Sequence, residues 1–142
     1  MNVDFYKLNY RFTSKPLIIG GFAMEYYGLR KAGNDIDLVL TEHDHFNLRK
    51  LYSNHVRDIF GDIGVCVHGF EMWNRILMFP YAFISYNAIE EENVCVVSLD
   101  RLLFMKSLAI ESAPKFAADV KLIVKKIHAI QYGEDLQYRR IC

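Results

Sequence analysis

Two carboxylates and a pair of glycines are the residues of this chain whose types and spacing suit chemistry. Asp35 and Asp37 flank Ile36 in the run Asn34-Asp35-Ile36-Asp37-Leu38-Val39-Leu40. Read as a strand with a period of two, Ile36, Leu38 and Leu40 share one face, and Asp35 and Asp37 the other. Two ionised carboxylates so placed repel each other unless water, a base or a cation compensates. Magnesium, which prefers carboxylate and phosphate oxygens, is such a cation. Upstream, Gly20-Gly21 follows the apolar run Leu17-Ile18-Ile19. Backbone amides without side chains can approach an anion closely, and a helix opening there points its positive end at the same place.

Local elements must position these groups. Pro16 suits the entry to a buried strand over Leu17–Ile19, which the two glycines end. Phe22 to Tyr27 suits a short helix closed by Gly28. Arg30 and Lys31 precede the acidic strand; Lys31 reads as a solvated turn residue. Arg30 reads either as another, paired with a nearby acid, or as a phosphate contact. Thr41 predicts a helix cap with Asp44 as its box-like partner. That helix ends near Asn54 and buries Phe46, Leu48, Leu51 and Tyr52. His43 and His45 fall on different faces and read as surface residues rather than metal ligands. Strands are predicted at Val65–Val67, Arg75–Phe79, Tyr81–Tyr86 and Val94–Val97. Trp73 is expected to pack over the sheet, or to stack on a nucleobase. Glu90-Glu91-Glu92 reads as a solvated turn. Met1 to Lys15, with Phe5, Tyr6, Tyr10 and Phe12, fits either a short helix or an extended lead-in.

From Ser98 the pattern turns helical. Ser98 is a cap, and Leu99, Leu102, Leu103, Met105 and Leu108 follow at helical spacing. Ser112 to Pro114 breaks this helix. A second amphipathic helix carries Ala118, Val120, Leu122, Ile123, Ile127 and Ile130, and Gly133 closes it. Glu134 to Cys142 forms a last short helix or frays. Lys115 and Asp119 are four apart and can pair along the helix.

Gly20-Gly21-Phe22-Ala23, Gly28-Leu29-Arg30 and Asp35-Ile36-Asp37, in that order, resemble the nucleotidyltransferase signature. The likeness is to the superfamily with the DNA polymerase beta-like fold, in its small bacterial members. These include minimal, toxin–antitoxin-associated and antibiotic-modifying types. Ser98-Leu99-Asp100-Arg101, Lys106, Pro114-Lys115 and Ala118-Asp119-Val120 look like the helical segment that follows the sheet in this family. The likeness spans about residues 16–130. It implies transfer of a nucleoside monophosphate from a magnesium-bound nucleoside triphosphate to an acceptor hydroxyl. Asp35 and Asp37 would hold Mg2+ and carry catalysis. Gly20, Gly21, Arg30, Lys106 and Lys115 would contact the nucleotide. The implied acceptor is a small molecule, an RNA end or a protein. A homodimer or an antitoxin-type partner is the implied assembly.

Two departures stand out. Ala32-Gly33-Asn34 takes the place of the hydroxyl residue that usually precedes the acid pair. A third carboxylate is expected on a later strand, yet neither Arg75–Phe79 nor Tyr81–Tyr86 contains one. Glu71 and Glu90 are the nearest on either side. The alternative is therefore a catalytically inactive module of the same fold that binds a nucleotide or a protein partner. A third reading leaves Asp35 and Asp37 as ordinary solvent-facing acids.

Length and composition bound these readings. A chain of 142 residues, 52% hydrophobic, is sized for one domain with a real core. The expected fold is α+β. A small twisted mixed sheet of four or five strands, about residues 16–97, carries helices on one face, and a helical half, about 98–142, follows. Lys plus Arg and Asp plus Glu both number 17, which excludes a broad electrostatic field for nucleic acid and leaves room only for a local basic cleft. No GxxxxGK[ST] loop is present. Three cysteines without metal-ligand spacing read as reduced thiols of a cytoplasmic protein. No signal-peptide core or membrane-crossing stretch is expected.

Overall fold

The computed structural model describes residues 1–133. It is a mixed α+β fold whose chain divides after Ser98 into two compact units. The expectations for Glu134 to Cys142 lie outside the described residues.

The first unit is built on a seven-stranded mixed sheet in the order β3-β4-β5-β2-β1-β9-β8. The strands are β1 (Leu17–Ile18), β2 (Ile36–Val39), β3 (Val56–Ile59), β4 (Asp62–Val67), β5 (Phe70–Trp73), β8 (Ile89–Glu90) and β9 (Cys95–Val96). Two short strands, β6 (Arg75–Ile76) and β7 (Phe79–Pro80), form a separate hairpin. The sheet is wider than the four or five strands expected. Several of its strands are only two residues long, below the length at which alternation can be read from sequence.

Cross-strand register sets which residues share a face, and both faces carry buried residues, Leu17 and Val39 among those on the side of Asp37. β1 is antiparallel to β2, β2 is parallel to β5, and β5 is antiparallel to β4. Ile18, Leu38, Met72 and Val65 therefore form one row across four strands, and all four are fully buried. Residues opposite one another in a ladder point to the same face, so the next row, Asp37, Glu71 and Cys66, points to the other face.

Helices α1 (Gly20–Tyr26), α2 (Glu42–Leu51) and α3 (Tyr81–Ile84) complete the unit. The Tyr81–Tyr86 segment, expected as a strand, is thus helical at its start. Pro80 precedes it as N-cap in extended conformation, a position where the missing N–H costs nothing. Thr41 caps α2 as expected, accepting from the Asp44 amide. The buried face of α2, however, is Asp44, His45 and Leu48. His45 is fully buried rather than on the surface, while Phe46 and Leu51 are about half exposed. The helix is rotated from the predicted phase because Asp44 has partners of its own. Its carboxylate accepts hydrogen bonds from the Tyr10 hydroxyl at 2.7 Å, the Thr13 amide and hydroxyl, and the Ser14 amide. These contacts tie down the N-terminal segment, which contains a single 3-10 turn, Tyr6–Leu8.

The second unit contains α4 (Leu99–Ala109) and α5 (Phe116–Tyr132), which pack on each other. Gly133 ends α5 with φ +68°, its amide returning to the Ala129 carbonyl. Lys106, buried, pairs with buried Asp119 at 2.9 Å, and its ammonium lies 4.3 Å from the centre of the Phe116 ring. Asp119 is thus engaged by the lysine of the preceding helix, in addition to any contact along its own.

Candidate functional site

The site is the acid-bearing row of the central strands. The parallel β2–β5 ladder sets Asp37 directly opposite Glu71. Such partners stand roughly 5 Å apart at Cβ. The third carboxylate sought in the sequence is thus available on β5, a strand that no sequence expectation included. The signal was present: Phe70 and Met72 are buried and alternate with half-buried Glu71 and Trp73. Four residues of alternation between Gly69 and Asn74 were too short to register as a strand. Glu90, the other candidate, lies on β8 at the far edge of the sheet and pairs with Lys15 at 2.8 Å.

Asp35 differs from expectation. It lies in an exposed bend before β2, because pairing begins at Ile36, whose amide donates to the Gly69 carbonyl. Asp35 and Asp37 therefore do not share a strand face. Asp37 is half-buried and is the acid that the fold holds in place.

Gly20 explains part of that hold. A Cβ at Gly20 would sit 2.6 Å from Asp37 Oδ2, and its φ of +64° favours glycine. The start of α1 thus presses on the Asp37 carboxylate, with Ile19 donating its amide to the Asp37 carbonyl. No side chain caps the first turn of α1. Gly21 faces the loop after α1, with Gly33 N, Ala32 Cα and Arg30 Nη1 all near where its Cβ would be. Arg30 is exposed, and its Nη1 donates to the Lys31 carbonyl at 3.0 Å. Glu25 accepts from the Ala32 amide, which ties this loop back to α1.

Three neighbours complete the face. Arg57 reaches Glu71 at 3.8 Å, a partly exposed pair of small energetic weight. Cys66 stands opposite Glu71 on β4. Burial chiefly pushes its thiol up, Arg57 opposes this, and the charges of Glu71 and Asp37 add to it. These influences together favour the neutral thiol of Cys66. Trp73 lies over Gly64 of β4, where a Cβ would fall within 3.0 Å of three ring atoms; it packs on the sheet as expected. Lys106 and Lys115 belong to the second unit. There Lys106 is held by Asp119, and Lys115 is exposed at the N-cap of α5.

The chemistry of this donor set bears on the magnesium that the resemblance implies. Among the described residues no three or more of His, Cys, Asp and Glu are gathered closely enough to hold a metal. Magnesium, however, is commonly bound by one or two carboxylates, with phosphate oxygens and water completing its shell. Asp37 and Glu71 provide that hard-oxygen pair, so they fit an ion that arrives with its nucleotide.

No protein-family model, no curated protein and no solved structure matches this chain. Among the described residues no helix is long and apolar enough to cross a membrane.

Proposed function

We propose that this protein is a nucleotidyltransferase-type enzyme that uses a magnesium-bound nucleoside triphosphate. The observation that carries the reading is the pairing of Asp37 with Glu71 across the β2–β5 ladder, beside Gly20 at the head of α1. Asp37 and Glu71 would hold the magnesium that arrives with the nucleotide, and the ion would supply compensation of the phosphate charge. Asp37, buttressed by Gly20, orients the triphosphate. The Gly21 backbone and the Arg30 guanidinium contact its outer phosphates. Glu71 takes the proton of the acceptor hydroxyl as that oxygen bonds to the α-phosphorus. The bond to the bridging oxygen breaks and pyrophosphate leaves. Catalysis rests on positioning and charge compensation.

A second reading has its own support. Arg57 already faces Glu71, so this row can stand without a cation, as a catalytically inactive nucleotide- or partner-binding module requires.

The test is calorimetric titration of ATP, CTP, GTP and UTP, with and without magnesium, into wild type, Asp37→Asn and Glu71→Gln. Magnesium-dependent binding lost in both variants is the expected result. Failure of wild type to bind any of the four transfers the conclusion to the inactive module.

A further inference from the structure

The N-terminal segment is the largest feature that the acid site does not use. It contains almost no regular structure, yet it is firmly anchored. Leu8 is fully buried. The Tyr52 hydroxyl donates to the Leu8 carbonyl at 2.8 Å, and Asp44 holds Tyr10, Thr13 and Ser14. Asn93 clasps Val3 with two hydrogen bonds, at 2.9 and 2.7 Å. Phe5 packs edge-on to Phe12 and against Phe70 of β5. These anchors fix the backbone and half-bury Phe5 and Tyr10, and Tyr6, Lys7 and Arg11 remain exposed beside them.

That outer set is aromatic and cationic. Phe5, Tyr6, Lys7, Asn9, Tyr10 and Arg11 line a cavity of about 700 Å³. A second cavity of about 350 Å³ shares Phe5, Tyr10 and Arg11 with it and runs on toward Lys15. Tyr6 is 88% exposed, an unusual state for an aromatic ring on a segment tied down so closely. Neither Lys7 nor Arg11 meets a carboxylate among the described residues. The nearest acid in sequence, Asp4, accepts from the Tyr6 amide, and Asp44 is buried beneath with its oxygens engaged. Lys7 and Arg11 thus place two exposed cations beside the exposed Tyr6 ring, with the Asp4 carboxylate also near, on a backbone pre-ordered so that little entropy is lost on binding.

We infer that the groove formed by Phe5, Tyr6, Lys7, Tyr10 and Arg11 binds single-stranded nucleic acid, with a base on Tyr6 and flanking phosphates on Lys7 and Arg11. Base stacking on exposed rings, together with cations that track the backbone, is how single strands are held without sequence preference. This groove rests on residues separate from Asp37 and Glu71, so it does not depend on the catalytic reading. If that reading also holds, the groove makes a nucleic-acid end the acceptor class of choice.

The test is fluorescence anisotropy with short 5′-labelled oligo(A) and oligo(U), as RNA and as DNA, on the full chain at a series of salt concentrations. Wild type is expected to bind with a log–log salt slope of about −1.4, two phosphates' worth for a single strand. Arg11→Gln or Lys7→Gln should each roughly halve that slope. Tyr6→Ala should weaken binding about tenfold while leaving the slope in place. All three side chains are outside the core, so circular dichroism should remain that of wild type. Asp37→Asn should bind the oligonucleotides normally even if it loses magnesium–nucleotide binding, which separates this inference from the catalytic one. Stronger binding to RNA than to DNA assigns the groove to the 2′-hydroxyl-bearing strand; equal binding leaves it general, and both outcomes support it. No binding by wild type at low salt, or binding that Tyr6→Ala/Lys7→Gln/Arg11→Gln leaves unchanged, overturns it.

Discussion

At the scale of single residues, the site depends on two contacts that differ in kind. Asp37 and Glu71 are brought together by backbone pairing, so their separation survives side-chain substitution. Asp37→Asn and Glu71→Gln should therefore keep the wild-type fold by circular dichroism while losing magnesium-dependent nucleotide binding. Asp35→Asn, changing an exposed residue outside the ladder, should cost much less binding than Asp37→Asn. Comparable losses for the two would show that Asp35 swings into the site. With only two carboxylates in register, the chain alone should show little saturable uptake of manganese, used as a paramagnetic stand-in for magnesium, until a nucleotide is added. Gly20 is the steric partner of Asp37. Gly20→Ala forces a Cβ to within 2.6 Å of Oδ2 at a φ of +64°, and it should lose about 1–2 kcal/mol of stability from the left-handed backbone alone. Chemical denaturation measures that loss, and nucleotide titration of the same variant reads the displaced carboxylate.

At the scale of elements, the helices are placed by buried polar groups as much as by apolar stripes. The Asp44 carboxylate serves two masters, the first turn of α2 and the N-terminal segment. Asp44→Ala leaves the Thr13 and Ser14 amides and the Tyr10 hydroxyl without their acceptor and should destabilise by about 3 kcal/mol, the range for hydrogen bonds to a charged group. Hydrogen exchange should show the loss concentrated in residues 3–15. In the second unit the Lys106–Asp119 pair joins α4 to α5. Removing one member strands a buried charge, so Lys106→Ala should destabilise this helix pair by about 3 kcal/mol or more. Lys115→Ala, at an exposed position, should stay within about 0.5 kcal/mol of wild type.

At the scale of the whole molecule, these buried groups shape the dependence of stability on pH. The Asp44 carboxyl is held below its ordinary value by its donors, Tyr10 first and then Thr13 and Ser14, although burial works against them. A depressed carboxyl contributes stability above its unfolded value, near 3.9, and that contribution disappears as pH falls through the folded one. His45 acts higher on the scale. Burial pushes its imidazole down, and the Arg49 charge adds to this. Its Nε2 lies 3.2 Å from the Met72 carbonyl, while Nδ1 is buried without a partner. Its neutral form is the folded one, so stability begins to fall as pH drops below the unfolded histidine value of about 6.5. Thermal melts across pH should therefore show two declining limbs. His45→Phe should flatten the one beginning near neutrality, and Asp44→Asn the acid one. A single limb unchanged in both variants would refute the assignment.

The sequence by itself determined what neighbouring residues decide among themselves. The α+β class, the short helix after the Leu17–Ile19 run, the Thr41 cap and the helical run after Ser98 all follow from periodicity, capping chemistry and backbone freedom over a few residues. Tertiary structure decided what depends on register. Nothing local to Glu71 says that it stands beside Asp37, because a parallel ladder joins strands separated by a helix and a hairpin, and only the completed sheet aligns them. Nor does the sequence around Asp44 and His45 declare them buried. Helical phase is chosen by whichever contacts satisfy the most groups, and here distant backbone amides and a carbonyl on β5 outweighed the apolar claims of Phe46 and Leu51.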